Sequence, residues 1–530
     1  MKESFRQAMS SLHTWVGLVF GWLLMTIFVG GTLSVFSKPI TRWMQDEITP
    51  AVTAASVTDR QRAVASAVSY LGVQSPTPEQ WRVALPDSEH EAVRFWTHED
   101  WEQDKVTALV DWQTGTRIAN DENTASRRVT QGGYHFIHLH YSLYGDVLGI
   151  YLVGLVTAAM LLALVSGIVV HKRIFLDIFT LRFGKGQRSW LDGHNVASVL
   201  TLPFQLMIAF SGLAIFVAAY MPAGIWFHFG GPVDGRSMLD MKGPYFAAIR
   251  FDEVPRVPVS AAAATIALAD LQSLATRAEQ ISGRPVRWLE RGVDDDGRVR
   301  WRLGVERDAS VGFPGYEERV YVATDGEGSL KAEPDPTEHR AANYTWGVLA
   351  ILHMVDFGGS AARWLWFLSG IAGCVMIASG LVLFSVKRRQ RALQEFGRAT
   401  PTVYRVIDAL NVGAVAGTLL ATLVYLWSNR IIPAQLPMRG ELEVRSFLIA
   451  WAIAPIHAFW RRERAWTEQL AFASALCLLL PALNVITTGH WLGAYLARGD
   501  WSNAAVELVA AAFGAVLLFT ARKSAKRAGV

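Results

Sequence analysis

The chain has 530 residues, of which 51% are hydrophobic and only 18% are charged. Such a low charged fraction, combined with apolar runs of about 20 residues, excludes an ordinary soluble enzyme and indicates a membrane protein. The net charge of +4 comes from Lys and Arg clusters beside those runs, so no nucleic-acid partner is needed to explain it.

Eight apolar segments are candidates to cross a bilayer, whose hydrocarbon core is about 30 Å thick. They are residues 15–36, 147–170, 196–220, 363–386, 407–428, 445–460, 466–489 and 503–521, of which the sixth is the shortest. The first has too long an apolar stretch for a signal peptide, and no small-residue cleavage site follows Phe36, so we expect a retained anchor. Basic residues cluster at both termini, in 171–193 and 387–405, and after the sixth span, which places these regions and both termini in the cytoplasm.

Two polar segments, about 37–144 and 221–362, therefore fall on the outer side, and each is predicted to form a small α+β module. The first has a predicted helix at 59–71 and strands at 81–85, 92–96 and 106–112; the second has a helix at 261–281 and strands at 286–289, 299–305 and 319–323. The predicted fold is a mainly α membrane protein with these modules between helices 1–2 and 3–4. The predicted regions are a first span (1–36), the first module (37–144), two spans with their loop (145–220), the second module (221–362), a fourth span (363–390) and a four-helix extension (400–530).

The first four spans contain an internal repeat, which is the most informative pattern in the chain. His13 and His194 each precede a small-residue pair at +17 and +18, which is Gly30-Gly31 after the first and Ser211-Gly212 after the second. His140 and His353 each precede a glycine at +5 and a Ser-Gly pair at +26 and +27, namely Gly145 with Ser166-Gly167, and Gly358 with Ser379-Gly380. One helix–module–helix unit thus occurs twice, with a histidine at the start of each helix.

These histidines are candidate iron ligands, since neutral imidazole ligates haem iron and ligands in bundles project from facing helices. Repeat symmetry predicts two noncovalent haem b groups, one between His13 and His194 at the cytoplasmic end and one between His140 and His353 at the outer end. Covalent c-type haem is excluded, because the chain has no Cys-x-x-Cys-His. Two assignments stay open: His171 as a replacement for His13 or His194, and His135 or His138 as an outer ligand or propionate contact. The repeated glycines have two readings, a notch for a haem ring or ordinary small-residue helix packing.

The segment 12–17 (Leu-His-Thr-Trp-Val-Gly), the Leu-His pairs at 139–140 and 352–353, and the turns in 110–116 and 320–326 resemble the bacterial PepSY-associated transmembrane family. The resemblance covers about residues 1–390 and leaves the C-terminal extension without a counterpart. It implies a dihaem protein of the bacterial inner membrane that reduces ferric siderophores on the periplasmic side, and hence an oxidoreductase acting on metal ions.

The leading hypothesis is therefore a transmembrane reductase that receives electrons from a cytoplasmic or quinol donor, because the sequence has no G-x-G-x-x-G nucleotide motif of its own. No catalytic acid or base is named, since outer-sphere reduction of iron needs none. Two alternatives are a non-enzymatic protein whose modules bind peptides or regulate a protease, and a siderophore or iron transporter. The first gives no reason for repeated membrane histidines, and the second is disfavoured by the few charges in the C-terminal spans.

Overall fold

The structure is a computed structural model. It describes residues 3–45, 57–74, 80–86, 93–97, 107–118, 128–170, 187–221, 227, 258–294, 297–306, 320–333, 341–389 and 396–528. The chain forms two compact units. The first comprises Met1–Glu47, Arg127–Leu239 and Leu352–Val530, and the second comprises Ile48–Ser126 and Asp240–Ile351.

Helices dominate the chain, and we number them in order along it. The amino-terminal ones are α1 (Glu3–Ser34), α2 (Ser37–Met44), α3 (Val57–Gln74), α4 (Tyr134–Ser142), α5 (Asp146–Val170), α6 (Gln187–Ile215), α7 (Val217–Tyr220) and α8 (Leu271–Ser282). The later ones are α9 (Ala341–Met354), α10 (Gly359–Arg389), α11 (Thr400–Val412), α12 (Thr418–Ile431), α13 (Arg439–Arg461), α14 (Ala465–Thr488), α15 (Leu492–Ala497) and α16 (Trp501–Ala528). A π-helical turn at Gly413–Gly417 joins α11 to α12.

Within the described part of the chain, seven segments are long and apolar enough to cross a membrane. These are Ser4–Ser34, Asp146–Val170, Gln187–Ile215, Gly359–Val386, Gly397–Ile431, Arg439–Thr488 and Trp501–Lys526. The sequence predicts eight spans, and the difference lies in the 50-residue segment Arg439–Thr488. That segment contains the sixth and seventh predicted spans as α13 and α14, which are separated by a 3-10 turn at Arg462–Arg464.

The helices of the repeat form the centre of the first unit. α1 packs against α5 and α10, and α10 packs against α6. Their shared core is apolar and includes Met25, Val156, Met160 and Leu381. Because lipid is as apolar as these side chains, close packing rather than hydrophobic exclusion must hold such helices together.

Left-handed backbone conformations end the two short histidine-bearing helices. α4 ends at Ser142, and Leu143 and Tyr144 follow with φ of 49° and 59°. α9 ends at Met354, and Val355 follows with φ of 60°. Such values are uncommon outside glycine. They turn the chain sharply from each short helix into the next long one, α5 or α10. The two turns begin one residue apart in the repeat, since Val355 corresponds to Ser142.

The second unit contains one eight-stranded antiparallel sheet. Its strands are β1 (Trp81–Ala84), β2 (Val93–Thr97), β3 (Ala108–Val110), β4 (Arg117–Ile118), β5 (Val286–Val293), β6 (Val299–Val305), β7 (Val320–Ala323) and β8 (Leu330–Glu333). The strand order is β4-β3-β2-β1-β5-β6-β7-β8. The sequence predicts the first three strands of each half; β4 and β8 are added at the two edges.

The sequence predicts two separate modules, whereas the structure joins their strands across the central β1–β5 pair. In this pair Val83 lies opposite Leu289. Without it, each half would present an unpaired edge strand, which is a template for unwanted association. Helices α3 and α8 share the apolar core of this sheet through Ala63 and Leu274, so both halves bury their apolar side chains together.

Candidate functional site

The structure brings the four repeated histidines together as the two predicted pairs. The imidazole centroids of His13 on α1 and His194 on α6 lie 6.3 Å apart. Those of His140 on α4 and His353 on α9 lie 6.0 Å apart. Each pair therefore spans two different helices, as the repeat predicts.

One ring nitrogen of each histidine is held by the backbone of a neighbouring helix. The Nδ1 atoms of His13 and His194 lie 2.8 Å from the carbonyl oxygens of Ala163 and Met376, respectively. The Nδ1 of His140 lies 2.9 Å from the carbonyl oxygen of Ile27. His353 bonds to the backbone of Ile208. Since a carbonyl can only accept, the bonds of His13, His140 and His194 require Nδ1 to carry the proton.

Each acceptor carbonyl lies four residues before one of the repeated glycines, one helical turn away. A Cβ atom added at Gly31 would lie 2.8 Å from Cε1 and Nδ1 of His140. A Cβ added at Gly212 would lie 3.0 Å from Cε1 of His353. The same distance is 3.2 Å from Gly167 to His13, and also 3.2 Å from Gly380 to His194. The missing side chain thus lets the imidazole reach the carbonyl.

Four of the repeated glycines, Gly31, Gly167, Gly212 and Gly380, make room for the histidine rings, whereas Gly30 makes room for the backbone of α4, as helix packing predicts. The notch for a haem ring stays a prediction. In the structure the glycines lie on helices α1, α5, α6 and α10, and at each level they are on the helices that do not supply the ligands. Serines preceding three of them place Oγ near the same Nδ1 atoms, at 3.3 Å for Ser166, 3.0 Å for Ser211 and 3.4 Å for Ser379.

The protonation state of the second pair suits metal ligation. Desolvation lowers the pKa of His140, and desolvation followed by the charge of His140 lowers the pKa of His353 to about 3. Both imidazoles are therefore neutral near pH 7. With the proton fixed on Nδ1 by the carbonyl, the lone pair remains on Nε2, which is the arrangement that second-shell hydrogen bonds impose on metal-binding histidines.

The ring separations fit two imidazoles on opposite sides of one metal ion. With a metal–nitrogen bond of about 2.0–2.1 Å and about 1.1 Å from nitrogen to ring centre, such rings have centroids about 6.3 Å apart. The observed 6.3 Å and 6.0 Å match this value. Among the described residues no group of three or more His, Cys, Asp or Glu side chains comes together as a metal site. A pair of imidazoles is a donor set that would suit haem iron better than a four-ligand structural zinc.

Two further ligand candidates from the sequence are His138 and His171. His138 lies two residues from His140 on α4, which places it on nearly the opposite face of the helix. It is surrounded by tyrosines instead, with its Nδ1 2.9 Å from the hydroxyl of Tyr141 and its ring 5.8 Å from that of Tyr144. The structure thus does not bring His138 to the His140–His353 pair. His171 lies outside the described residues.

Sequence reasoning missed one part of the site, the backbone carbonyls that hold the imidazoles. The carbonyls of Ile27, Ala163, Ile208 and Met376 are invisible in a sequence, although their position four residues before a repeated glycine is a signal that could have revealed them. The other outer candidate that the sequence left open, His135 on α4, packs against the rings of Tyr144, Tyr425 and Phe447. This side chain is fully buried, and its Nδ1 lies 2.7 Å from the hydroxyl of Tyr144.

The arrangement is that of a multi-pass membrane protein with two histidine pairs at opposite ends of its central helices. The chain belongs to the family of the PepSY-associated TM region, whose model matches residues 10–387. It is also 26% identical over 411 residues to a protein of Pseudomonas aeruginosa described as uncharacterized, a match covering 69% of this chain and 94% of that relative. The family match ends before α11, so the C-terminal helices lie beyond it.

Proposed function

We propose that the chain is a b-type dihaem protein that carries electrons across the bacterial inner membrane and reduces ferric siderophores on the periplasmic side. The observation that carries the proposal is the geometry of the two histidine pairs, each about 6 Å between ring centres. In addition, each imidazole is hydrogen-bonded to a backbone carbonyl, and each carbonyl lies one turn before a glycine. Haem supplies one-electron redox chemistry at each site when bound.

The residues of the chain then have defined roles. His13 and His194 hold the inner haem, and His140 and His353 hold the outer one. The carbonyls of neighbouring helices fix the tautomer and the ring orientation, which tunes the basicity of the ligating nitrogen. His13 and Gly31, which lie at opposite levels of α1, are 18 residues apart, or about 27 Å along a helix. This distance is close to the thickness of a bilayer core, about 30 Å.

The substrate assignment rests on the resemblance to family members that are iron-regulated reductases. Each ferric ion reduced to ferrous takes one electron, and the cytoplasmic or quinol donor replaces it. In the proposed topology both termini are cytoplasmic and the sheet unit is periplasmic, as the Lys and Arg clusters predict. A peptide-binding or protease-regulating role would account for a sheet unit, but it gives no reason for four anchored imidazoles within a helical bundle.

The first test is the colour and redox response of the purified full chain. Protein from haem-replete cells is expected to be red, with a Soret band that shifts on dithionite reduction and a pyridine haemochrome reporting two haem b per chain. The dithionite-reduced protein, freed of excess reductant, is then mixed with ferric hydroxamate or catecholate siderophores in stopped flow, and reoxidation of the haem is followed. Colourless protein would contradict the haem assignment. Red protein that no ferric chelate reoxidises would contradict the substrate assignment alone.

A further inference from the structure

The segment that leads into α4 differs between the two copies of the repeat. Because His140 corresponds to His353, a residue in the first copy corresponds to the residue 353 − 140 = 213 positions later. Arg128, Thr130 and His135 of the first copy thus correspond to Ala341, Asn343 and Val348 of the second. At two of these positions the first copy therefore has a cationic and an imidazole side chain, where the second copy has alanine and valine.

These first-copy residues bind helices of the C-terminal extension. The Nη1 of Arg128 donates to the carbonyl oxygen of Asn429 at 2.7 Å, and Thr130 donates through its hydroxyl to the Glu443 carboxylate. In the other direction, the hydroxyl of Tyr425 donates to the carbonyl oxygen of Gly132 at 2.7 Å. The backbone just before α4 is thus hydrogen-bonded from several sides by α12 and α13.

A buried charged cluster anchors these bonds. Arg439, Glu443 and Asn429, which we call the clamp cluster, are all fully buried. The Arg439 guanidinium lies 2.6 Å from the Glu443 carboxylate, and the Asn429 amide donates to the same carboxylate oxygen at 2.8 Å. Arg439 also donates to the carbonyl oxygen of Val129 at 3.0 Å. Since a buried ion pair is tolerated only when further hydrogen bonds satisfy it, the backbone at 129–132 completes the cluster.

Aromatic contacts extend this attachment into α4 itself. The ring of His135 stacks on that of Tyr425 with centroids 4.1 Å apart and meets Phe447 edge-on at 4.6 Å. His135 lies on the same nine-residue helix as His140. A helix of this length transmits a displacement at one end to the other, so a contact at His135 fixes the position of His140.

We infer that the C-terminal extension is a positioning device for the outer haem ligand His140, through the clamp cluster, Tyr425 and Phe447. The inference rests on the proposed function for the identity of the group that His140 binds. All these contacts come from residues 425–447, which lie beyond the part of the chain that matches the family model. The extension thus supports His140 and not His353, because only the segment before His140 contains Arg128, Thr130 and His135.

The test uses the full chain with two conservative changes, Tyr425→Phe and Thr130→Val, combined in one variant. Tyr425→Phe removes the hydroxyl that donates to the Gly132 carbonyl. Thr130→Val removes the hydroxyl that donates to Glu443 and that also accepts from the Gly132 amide. Both changes leave the packing volume nearly unchanged. Amide hydrogen exchange across 134–144, a window that leaves out the Gly132 amide bonded to Thr130 itself, is expected to become about fivefold faster or more, as the loss of a buried hydrogen bond predicts. Exchange across 341–354 should stay unchanged. In the low-spin haem spectrum by electron paramagnetic resonance, the signal of one haem should shift while that of the other stays in place.

The control is Arg461→Gln, which breaks an exposed ion pair with Glu468 between α13 and α14. It should change neither the exchange of 134–144 nor either haem signal. Unchanged exchange and unchanged signals in the double variant would overturn the inference, and so would equal disturbance of both haems, since that would indicate a general folding role. If the wild-type chain carries no haem, the proposed function fails, and the exchange experiment still decides whether the extension holds α4.

Discussion

Replacement of His140 or His353 with alanine is expected to reduce the haem content of the purified protein from two per chain to about one. The remaining haem should keep the spectrum and midpoint potential of the inner site, because His13 and His194 are held by different carbonyls, those of Ala163 and Met376. Loss of one axial imidazole leaves the iron with a single protein ligand at that site. The measurement is pyridine haemochrome per chain, combined with a redox titration that counts the haem transitions.

The matched controls are histidines of the C-terminal extension. His457 lies 3.1 Å from the Glu468 carboxylate, and His490 stacks edge-on near Tyr495, so neither lies in a histidine pair. His457→Ala and His490→Ala are expected to keep both haems. Two haems retained in both His140→Ala and His353→Ala would refute the outer site, and loss of haem in the control variants as well would show that histidine replacement acts through folding.

Replacement of Gly31 with alanine should weaken the outer haem without removing any ligand. The new Cβ would lie 2.8 Å from two atoms of the His140 ring. The ring must therefore move away from the carbonyl of Ile27 and lose the bond that fixes its tautomer. Loss of such a second-shell partner lowers metal affinity by about 10–100-fold. Haem titration of the apoprotein, with the two sites resolved by their absorption changes, measures the effect.

Gly17→Ala provides the control on the same helix. Among the described residues, no atom outside the backbone of α1 lies within 4 Å of a Cβ at this position, and alanine is the better helix former by about 1 kcal/mol. The variant should bind both haems like the wild type. Equal affinities in Gly31→Ala and wild type would show that the ring tolerates the displacement and that the carbonyl bond contributes nothing to binding.

The sequence contains the ligands but only part of what orients them. The histidines can be found because duplication repeats the spacing between each histidine and its glycine, as with His13 and His194. The carbonyls that orient the imidazoles have no side-chain signature, and only three-dimensional packing shows that Ile27 faces His140. His138 illustrates the opposite error, because proximity in sequence suggested a ligand whereas the helical period turns it to another face.

The fold likewise follows only in part from the sequence. Strands such as Val299–Val305 follow from local alternation and turn residues, and all six predicted strands are present. The pairing of β1 with β5 depends on two segments that are distant in the chain, so no local pattern could reveal it. The contacts of the C-terminal helices could not be predicted either, because Tyr425 and Glu443 bond to a segment about 300 residues earlier in the chain.

The central position of the β1–β5 pair imposes an order on biosynthesis. Trp81 and Val286 are separated by about 200 residues, which take about 10–40 s to translate. Throughout that interval the newly made strands 81–118 have a free edge at β1, and an entire hairpin of membrane helices is inserted before their partner exists. A nascent chain stalled between residues 120 and 280 should therefore be the form most prone to aggregation and most dependent on chaperones that shield strand edges.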